Sequence, residues 1–238
     1  MSDEPRITFN NQNMGQQQIG QSQYPANGTP AHQPNADPHK ELLALLKEGN
    51  VPELQRFLRS QPNAAELINR REPVFQQTSM YTSVQSRDAQ SAVEVTRTIV
   101  EAGGKVSVKD IHGQSPLFYV CRDGNVPLLH IFIANGCDIN ESDNFKQSPL
   151  FYASRDGRAD CVLEMVRNGA NPEHRDKVNE TALFYAAREG HTRICEILLD
   201  YGADVNTVDD KKQTALFFAK KGNHKQVEEL LISRGAIN

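Results

Sequence analysis

From Asp110 onward the apolar and polar positions of the chain repeat every 33 residues. Ser115-Pro116-Leu117-Phe118-Tyr119 returns as Ser148-Pro149-Leu150-Phe151-Tyr152, then as Thr181-Ala182-Leu183-Phe184-Tyr185, then as Thr214-Ala215-Leu216-Phe217-Phe218. A second apolar cluster follows each copy: Leu128, Leu129 and Phe132; Val162, Leu163 and Val166; Ile194, Ile197 and Leu198; Val227, Leu230 and Leu231. Spacings of one, three and four residues place each cluster on one side of a helix. A fixed period of this length is the signature of a repeat architecture.

The polar positions punctuate these helices. Ser115, Ser148, Thr181 and Thr214 are good N-cap residues, and Pro116 and Pro149 sit at the first helical position, where a missing N–H costs nothing. Gly124, Gly157 and Gly190 end the first helix, with Asn223 in that place in the last copy. Gly136, Gly169, Gly202 and Gly235 end the second.

Before Asp110 the pattern loosens. Glu41-Leu42-Leu43-Ala44-Leu45-Leu46-Lys47 has helical apolar spacing and stops at Gly49-Asn50. Pro52 opens a second helix that carries Leu54, Phe57 and Leu58 on one face. Residues 64–69 read as an insertion. Thr78-Ser79-Met80-Tyr81 overlays Ser115-Pro116-Leu117-Phe118, with about four extra residues and a longer inner-helix turn before the second helix and its loop, in register over 93–104. This copy is degenerate and is expected to be the weak link of the stack, because repeat stability is largely a nearest-neighbour property.

The motif Asp110-Ile111-His112-Gly113-Gln114-Ser115-Pro116-Leu117, the pair Ala186-Ala187, the turn Gly190-His191 and the ending Gly202-Ala203-Asp204-Val205-Asn206 together resemble the ankyrin repeat. The likeness is strong from residue 110 and weaker over 39–109. It implies an all-α fold, an ankyrin-repeat solenoid of about six stacked helix-turn-helix units joined by hairpin-like loops. The units fall near 39–73, 74–109, 110–142, 143–175, 176–208 and 209–238. One departure is consistent. The family's histidine after Leu is Phe118, Phe151, Phe184 or Phe217 here, followed by Tyr119, Tyr152, Tyr185 or Phe218. A ladder of rings is expected in place of the hydrogen bonds that histidine supports, with the Phe184-Tyr185 pair in the stacked interior.

Composition adds limits. Residues 1–38 are rich in Gln, Asn, Pro and Gly, too poor in apolar groups to offset the entropy of ordering, and read as a disordered tail. The formal net charge of −4 disfavours a general nucleic-acid or membrane-surface binder. Met1-Ser2-Asp3-Glu4 opens no apolar h-region, so a secretory signal is not expected, and no run approaches the roughly 20 apolar residues of a membrane span. Cys121, Cys137, Cys161 and Cys195 form no CxxC pair and read as reduced thiols of an intracellular protein, cytoplasmic or nuclear. There is no Gly-rich phosphate loop, nucleophile elbow or His-Glu-x-x-His run, so no catalytic residue, cofactor or metal is assigned.

Candidate functional residues lie where the family fold places loop tips and outward inner-helix positions, on a concave face. They are Ile111, His112, Arg122 and Asp123; Asn144, Phe145, Arg155 and Asp156; Lys177, Val178, Arg188 and Glu189; Lys211 and Lys221. Arg122, Arg155, Arg188 and Lys221 form a cationic column with an acid after each arginine. That is either a ladder of exposed ion pairs or a charge-patterned groove for an acidic or mixed-charge peptide. Ile111, Phe145 and Val178 place apolar groups at loop tips, either folded onto their neighbours or serving as interface anchors. The reading is a protein–protein interaction scaffold or adaptor; the alternative is a nucleic-acid- or nucleotide-binding module using the arginines and aromatics. Asn140 and Asn206 also resemble the family's asparagine-hydroxylation acceptors, and His191 and His224 occupy its structural turn position.

Overall fold

The computed structural model describes residues 37–86 and 88–237. The tail expected to be disordered lies, up to residue 36, outside the described residues. Thirteen helices are present among the described residues, and none is long and apolar enough to cross a membrane.

The first pair is α1 (Pro38–Glu48) and α2 (Val51–Ser60), followed by the short α3 (Ala64–Ile68). Then come α4 (Ser79–Val84) with α5 (Ala89–Glu101), α6 (Pro116–Asp123) with α7 (Val126–Ala134), and α8 (Pro149–Arg155) with α9 (Ala159–Arg167). The last pairs are α10 (Ala182–Glu189) with α11 (Thr192–Asp200), and α12 (Ala215–Lys221) with α13 (Lys225–Ser233). The first helix of each pair packs against the first helix of the next, and the second against the second. The result is an inner layer (α1, α4, α6, α8, α10, α12) and an outer layer (α2, α5, α7, α9, α11, α13) with one continuous apolar core between them.

The local signals act as the sequence implies, with exceptions. Asn50 accepts from the Glu53 N–H, and Ser115 and Thr214 accept from Leu117 and Phe217 N–H groups. Ser148 and Thr181 make no side-chain cap bond. The insertion at 64–69 forms α3, whose Leu67 and Ile68 are buried. Four extra residues do enter the second unit, but they lengthen the outer helix as well as the turn: α5 has 13 residues where α7, α9, α11 and α13 have 9. Asp88 begins this extra turn by accepting from the Gln90 and Ser91 N–H groups.

Each loop is closed by the aspartate that opens its unit. Asp143 Oδ1 accepts from the Phe145 and Gln147 N–H groups at 2.8 and 2.9 Å, and its own N–H donates to the Gln147 carbonyl. Asp110, Asp176 and Asp209 repeat this arrangement. All four are buried, and their inward carboxylates hold the hairpin shape where no strand pairing does so.

The aromatic residues bind unit to unit. The ring three places after the cap meets the ring four places after the cap in the next unit, edge to face: Tyr81 with Tyr119, Phe118 with Tyr152, Phe151 with Tyr185, and Phe184 with Phe218, at 5.4 to 5.9 Å. Pairs of this geometry contribute about 0.5–1.5 kcal/mol beyond burial. Phe118, Phe151 and Phe184 are fully buried. Tyr185 is only half-buried, because its hydroxyl reaches a loop. Phe217, which no further described unit covers, is 40% exposed. Beside it, register positions filled by buried Cys121, Ser154 and Ala187 in earlier units are taken by exposed Lys220.

Candidate functional site

The expected loop-tip positions come together as one row. The N–H of Asn144 donates to the His112 carbonyl, that of Lys177 to the Phe145 carbonyl, and that of Asp210 to the Val178 carbonyl, at 3.0 to 3.1 Å. These bonds tie each tip to the next like neighbouring strands, and the Asn179 amide adds a side-chain tie to Asp210 Oδ1 at 2.6 Å. Ile111, Phe145 and Val178 project from it at 47%, 53% and 48% exposure. The side chains therefore do not fold away onto adjacent tips. Lys177 Nζ lies 5.9 Å from the Phe145 ring centroid, and the Asn144 amide donates to the Ile111 carbonyl.

The row begins one unit earlier than the sequence reading placed it. The Ile111 N–H donates to the Phe75 carbonyl, and Phe75 is 48% exposed. Gln76 has positive φ, as do Gly113, Lys146, Asn179 and Lys212 at the same place in later loops. Reading back five residues from Thr78 puts Pro73 at the aspartate position and Phe75 level with Phe145. The missing aspartate hid the match, although Gln77 in register with Gln114 and Gln147 carried it.

The inner-helix residues form a second row. Arg122 and Arg155 lie 4.8 Å from the Tyr119 and Tyr152 ring centroids and pair with Asp123 and Asp156 at 2.9 and 2.8 Å. Both arginines sit in the last turn of their helix, where a cation is favoured. Arg188 differs: it pairs with Glu180, not with Glu189, and lies 4.1 Å from the Phe218 ring and 5.2 Å from Tyr185. Position 180 explains this. In earlier loops it is Gln114 or Gln147, whose amide donates to the hydroxyl of Tyr152 or Tyr185 at 2.6 Å. Phe218 has no hydroxyl, and Glu180 takes the guanidinium instead. Burial pushes the Glu180 carboxyl above its usual range, against the pull of Arg188. Lys221 is exposed and ends the column; Lys211 is exposed at the last tip. The cationic column is thus not uniform, and each of its three arginines already holds an acid of its own chain.

Opposite the loop tips, Arg158, His191 and His224 cross between units. Arg158 Nε donates to the Arg122 carbonyl, and the Nε2 atoms of His191 and His224 meet the Arg155 and Arg188 carbonyls, each at 2.9 Å. These histidines therefore join repeats. Asn140 and Asn206 do the same on the outer side, donating to the Gly169 and Gly235 carbonyls and accepting from the Asn171 and Ile237 N–H groups. Their amides serve the scaffold. The four thiols are free; Cys121, Cys161 and Cys195 are buried and Cys137 is partly so. No cluster of three or more metal-ligating side chains occurs among the described residues.

Comparison with known proteins agrees with this geometry. The family model described as ankyrin repeats (3 copies) matches residues 87–176 and 160–238, well over half of the chain. The chain belongs to the ankyrin-repeat family, whose members are generally protein–protein interaction modules. It is also similar to "Protein VAPYRIN-LIKE" of Medicago truncatula, 38% identical over 50 residues. That stretch is 21% of this chain and 11% of the relative, so the chain spans about a tenth of the relative's length.

Proposed function

We propose that the chain is a non-catalytic scaffold or adaptor subunit that holds a protein partner on its loop-tip and inner-helix face. The observation that carries this reading is the row Phe75, Ile111, Phe145 and Val178, four half-exposed apolar groups on successive tips fixed by backbone hydrogen bonds. Such groups are ordered before binding, so little entropy remains to be lost when a partner covers them. The arginine row beside them supplies charge and direction. A protein partner suits this face better than a nucleic acid. The tyrosine faces on which a base would stack lie under guanidinium groups, and those guanidinium groups face carboxylates rather than open solvent. Four free thiols fit a reducing intracellular compartment.

Parallel affinity captures with the wild-type chain and a Phe145→Ala, Arg155→Glu double variant test the reading, with thermal unfolding as the folding control. Loss of a hot-spot pair weakens binding by about 2 kcal/mol or more, roughly thirtyfold. Partners retained only by the wild type are the expected result. Identical partner sets from two equally folded proteins would move the site away from this face. A salt titration separates the alternative, since phosphate-driven binding weakens steeply between 50 and 200 mM salt.

A further inference from the structure

Along the loop-tip row each tip meets the next through one residue from either side. The Ile111 N–H donates to the Phe75 carbonyl, Asn144 to His112, Lys177 to Phe145, and Asp210 to Val178, at 3.0 to 3.1 Å. The side chains of these four pairs differ in kind. The first pair is doubly apolar, since Phe75 and Ile111 are both about half exposed. The second, His112 with Asn144, is polar and exposed. The third sets Lys177 Nζ 5.9 Å from the Phe145 ring centroid, and exposed Lys146 follows the same ring in the chain. In the fourth, Val178 stands next to Asp210, whose Oδ1 accepts from the Asn179 amide at 2.6 Å.

Charge and spacing restrict what can lie across these pairs. Arg122, Arg155 and Arg188 hold acids of their own chain, whereas Lys146 and Lys177 form no ion pair among the described residues. The third pair is therefore a half-exposed ring flanked by cations, complementary to a carboxylate. Each tip consists of one outgoing and one returning stretch of chain, closed by bonds such as Asp143 N–H to the Gln147 carbonyl. Two chain spacings of about 4.8 Å put successive pairs roughly 9.5 Å apart, in keeping with helices packed about 8–10 Å from one another. The first and third pairs are then about 19 Å apart. An extended segment rises about 3.1–3.3 Å per residue, so about six residues cover that distance. Six is a whole number of periods for both a strand and a polyproline II helix, so both side chains leave the segment on one side. An α-helix would need about 13 residues, and residues that far apart point to nearly opposite sides of it.

We propose that the partner lays an extended segment along the tips, with a large apolar side chain over Phe75 and Ile111 and, six residues away, a carboxylate beside Lys177. This inference rests on the loop-tip reading above and names the form and chemistry of the partner it calls for. The first pair gives the apolar side chain two apolar neighbours, where the fourth gives one and an acid. The other pairs set the register. A carboxylate three residues from the apolar anchor would face His112 and Asn144, which are neutral at pH 7.5. One nine residues away would face Asp210 and be repelled.

Oligoproline rulers test this, because proline holds a peptide extended at a known rise. Each capped peptide carries an N-terminal leucine and a C-terminal glutamate, separated by two, five or eight prolines. They are titrated at pH 7.5 into the isotope-labelled full chain and followed by amide chemical shifts. The five-proline ruler should bind tightest, with saturable shifts near residues 75, 111, 145 and 177. Replacing its glutamate by glutamine, or Lys177→Ala in the protein, should weaken it roughly two- to fivefold, as for an exposed ion pair. Ile111→Ser should weaken it about fivefold through lost apolar contact, and both side chains are exposed, so the variants keep the fold. Equal affinity for the three rulers, tightest binding of the two- or eight-proline ruler, shifts elsewhere, or no saturable response to any ruler would overturn the proposal. If the rulers fail while the Phe145→Ala, Arg155→Glu variant still loses the wild type's partners, the loop-tip face stands and the extended segment alone is refuted.

Discussion

Replacing Tyr152 by phenylalanine removes one oxygen from the junction between the third and fourth units and leaves the ring in place. That oxygen donates to Asp143 Oδ2 at 2.8 Å and accepts from Gln114 Nε2 at 2.6 Å. Burial and the hydrogen bond to Asp143 both push the Tyr152 phenol well above its usual range, so it stays a donor throughout the working pH range. A hydrogen bond to a charged acceptor contributes about 1.5–3 kcal/mol. The edge-to-face contact with Phe118 at 5.4 Å survives the change, and Asp143 Oδ1 keeps both of its backbone donors. The expected cost is therefore about 2–3 kcal/mol. Tyr119→Phe is the internal control. Its hydroxyl lies 3.4 Å from Asp110 Oδ2, too far for a strong O–H···O bond, and accepts from Gln77 Nε2 at 3.1 Å, so its loss removes one ordinary neutral hydrogen bond and should cost only about 0.5–1 kcal/mol. Urea unfolding at pH 7 reads the difference. With an m-value of about 2–3 kcal/mol per molar, Tyr152→Phe should move the midpoint by about 1 M and Tyr119→Phe by less than half of that. Equal shifts for the two variants, or a cost below about 0.5 kcal/mol for Tyr152→Phe, would refute the claim that the tyrosine–glutamine–aspartate bridge joins the units.

Three further outcomes follow from the same geometry. Gly190→Ala should destabilise more than Gly169→Ala: both have positive φ, at about 1–2 kcal/mol for a residue with a Cβ, but only Gly190 has a ring 2.5 Å from the new carbon. Calorimetry of Gly190→Ala in a His224→Ala background should recover the excess. Cys137 should be the one thiol of the four to react with a small alkylating agent in the folded protein. Its pKa is pushed up to about 11 by burial and then by Glu141 and Asp138, so the thiolate fraction, and with it the rate, should rise about tenfold per pH unit between pH 7 and 10. A rate flat over that window would show the thiolate already formed at neutral pH. In native-state hydrogen exchange, amides of α4 (6 residues) and α5, in the degenerate unit, should exchange faster than those of α10 and α11, and equal protection would contradict a weak second unit.

The repeat, the helix pairs and the glycine stops were legible in the sequence because they are local. A cap hydroxyl, an apolar spacing and a left-handed glycine each act within one turn, and 33-residue repetition makes each signal recur. The apolar tips Ile111, Phe145 and Val178 were legible for the same reason, as hydrophobic residues where a hairpin needs none. What lies between units was not. Arg188 and Glu189 are adjacent in the chain, yet the carboxylate that meets Arg188 is Glu180, a choice made by the absent hydroxyl of Phe218 in the next repeat. Phe75 joined the row only through its carbonyl bond to the Ile111 N–H, since Pro73 erases the aspartate that marks the other loops. The four extra residues near 88 were countable from the sequence, but that they lengthen α5 to 13 residues as well as the turn was not. Period and capping are one-dimensional and fix the module. Partner choice among side chains is settled across the stack, between residues that share no local sequence, so only the tertiary structure decides it.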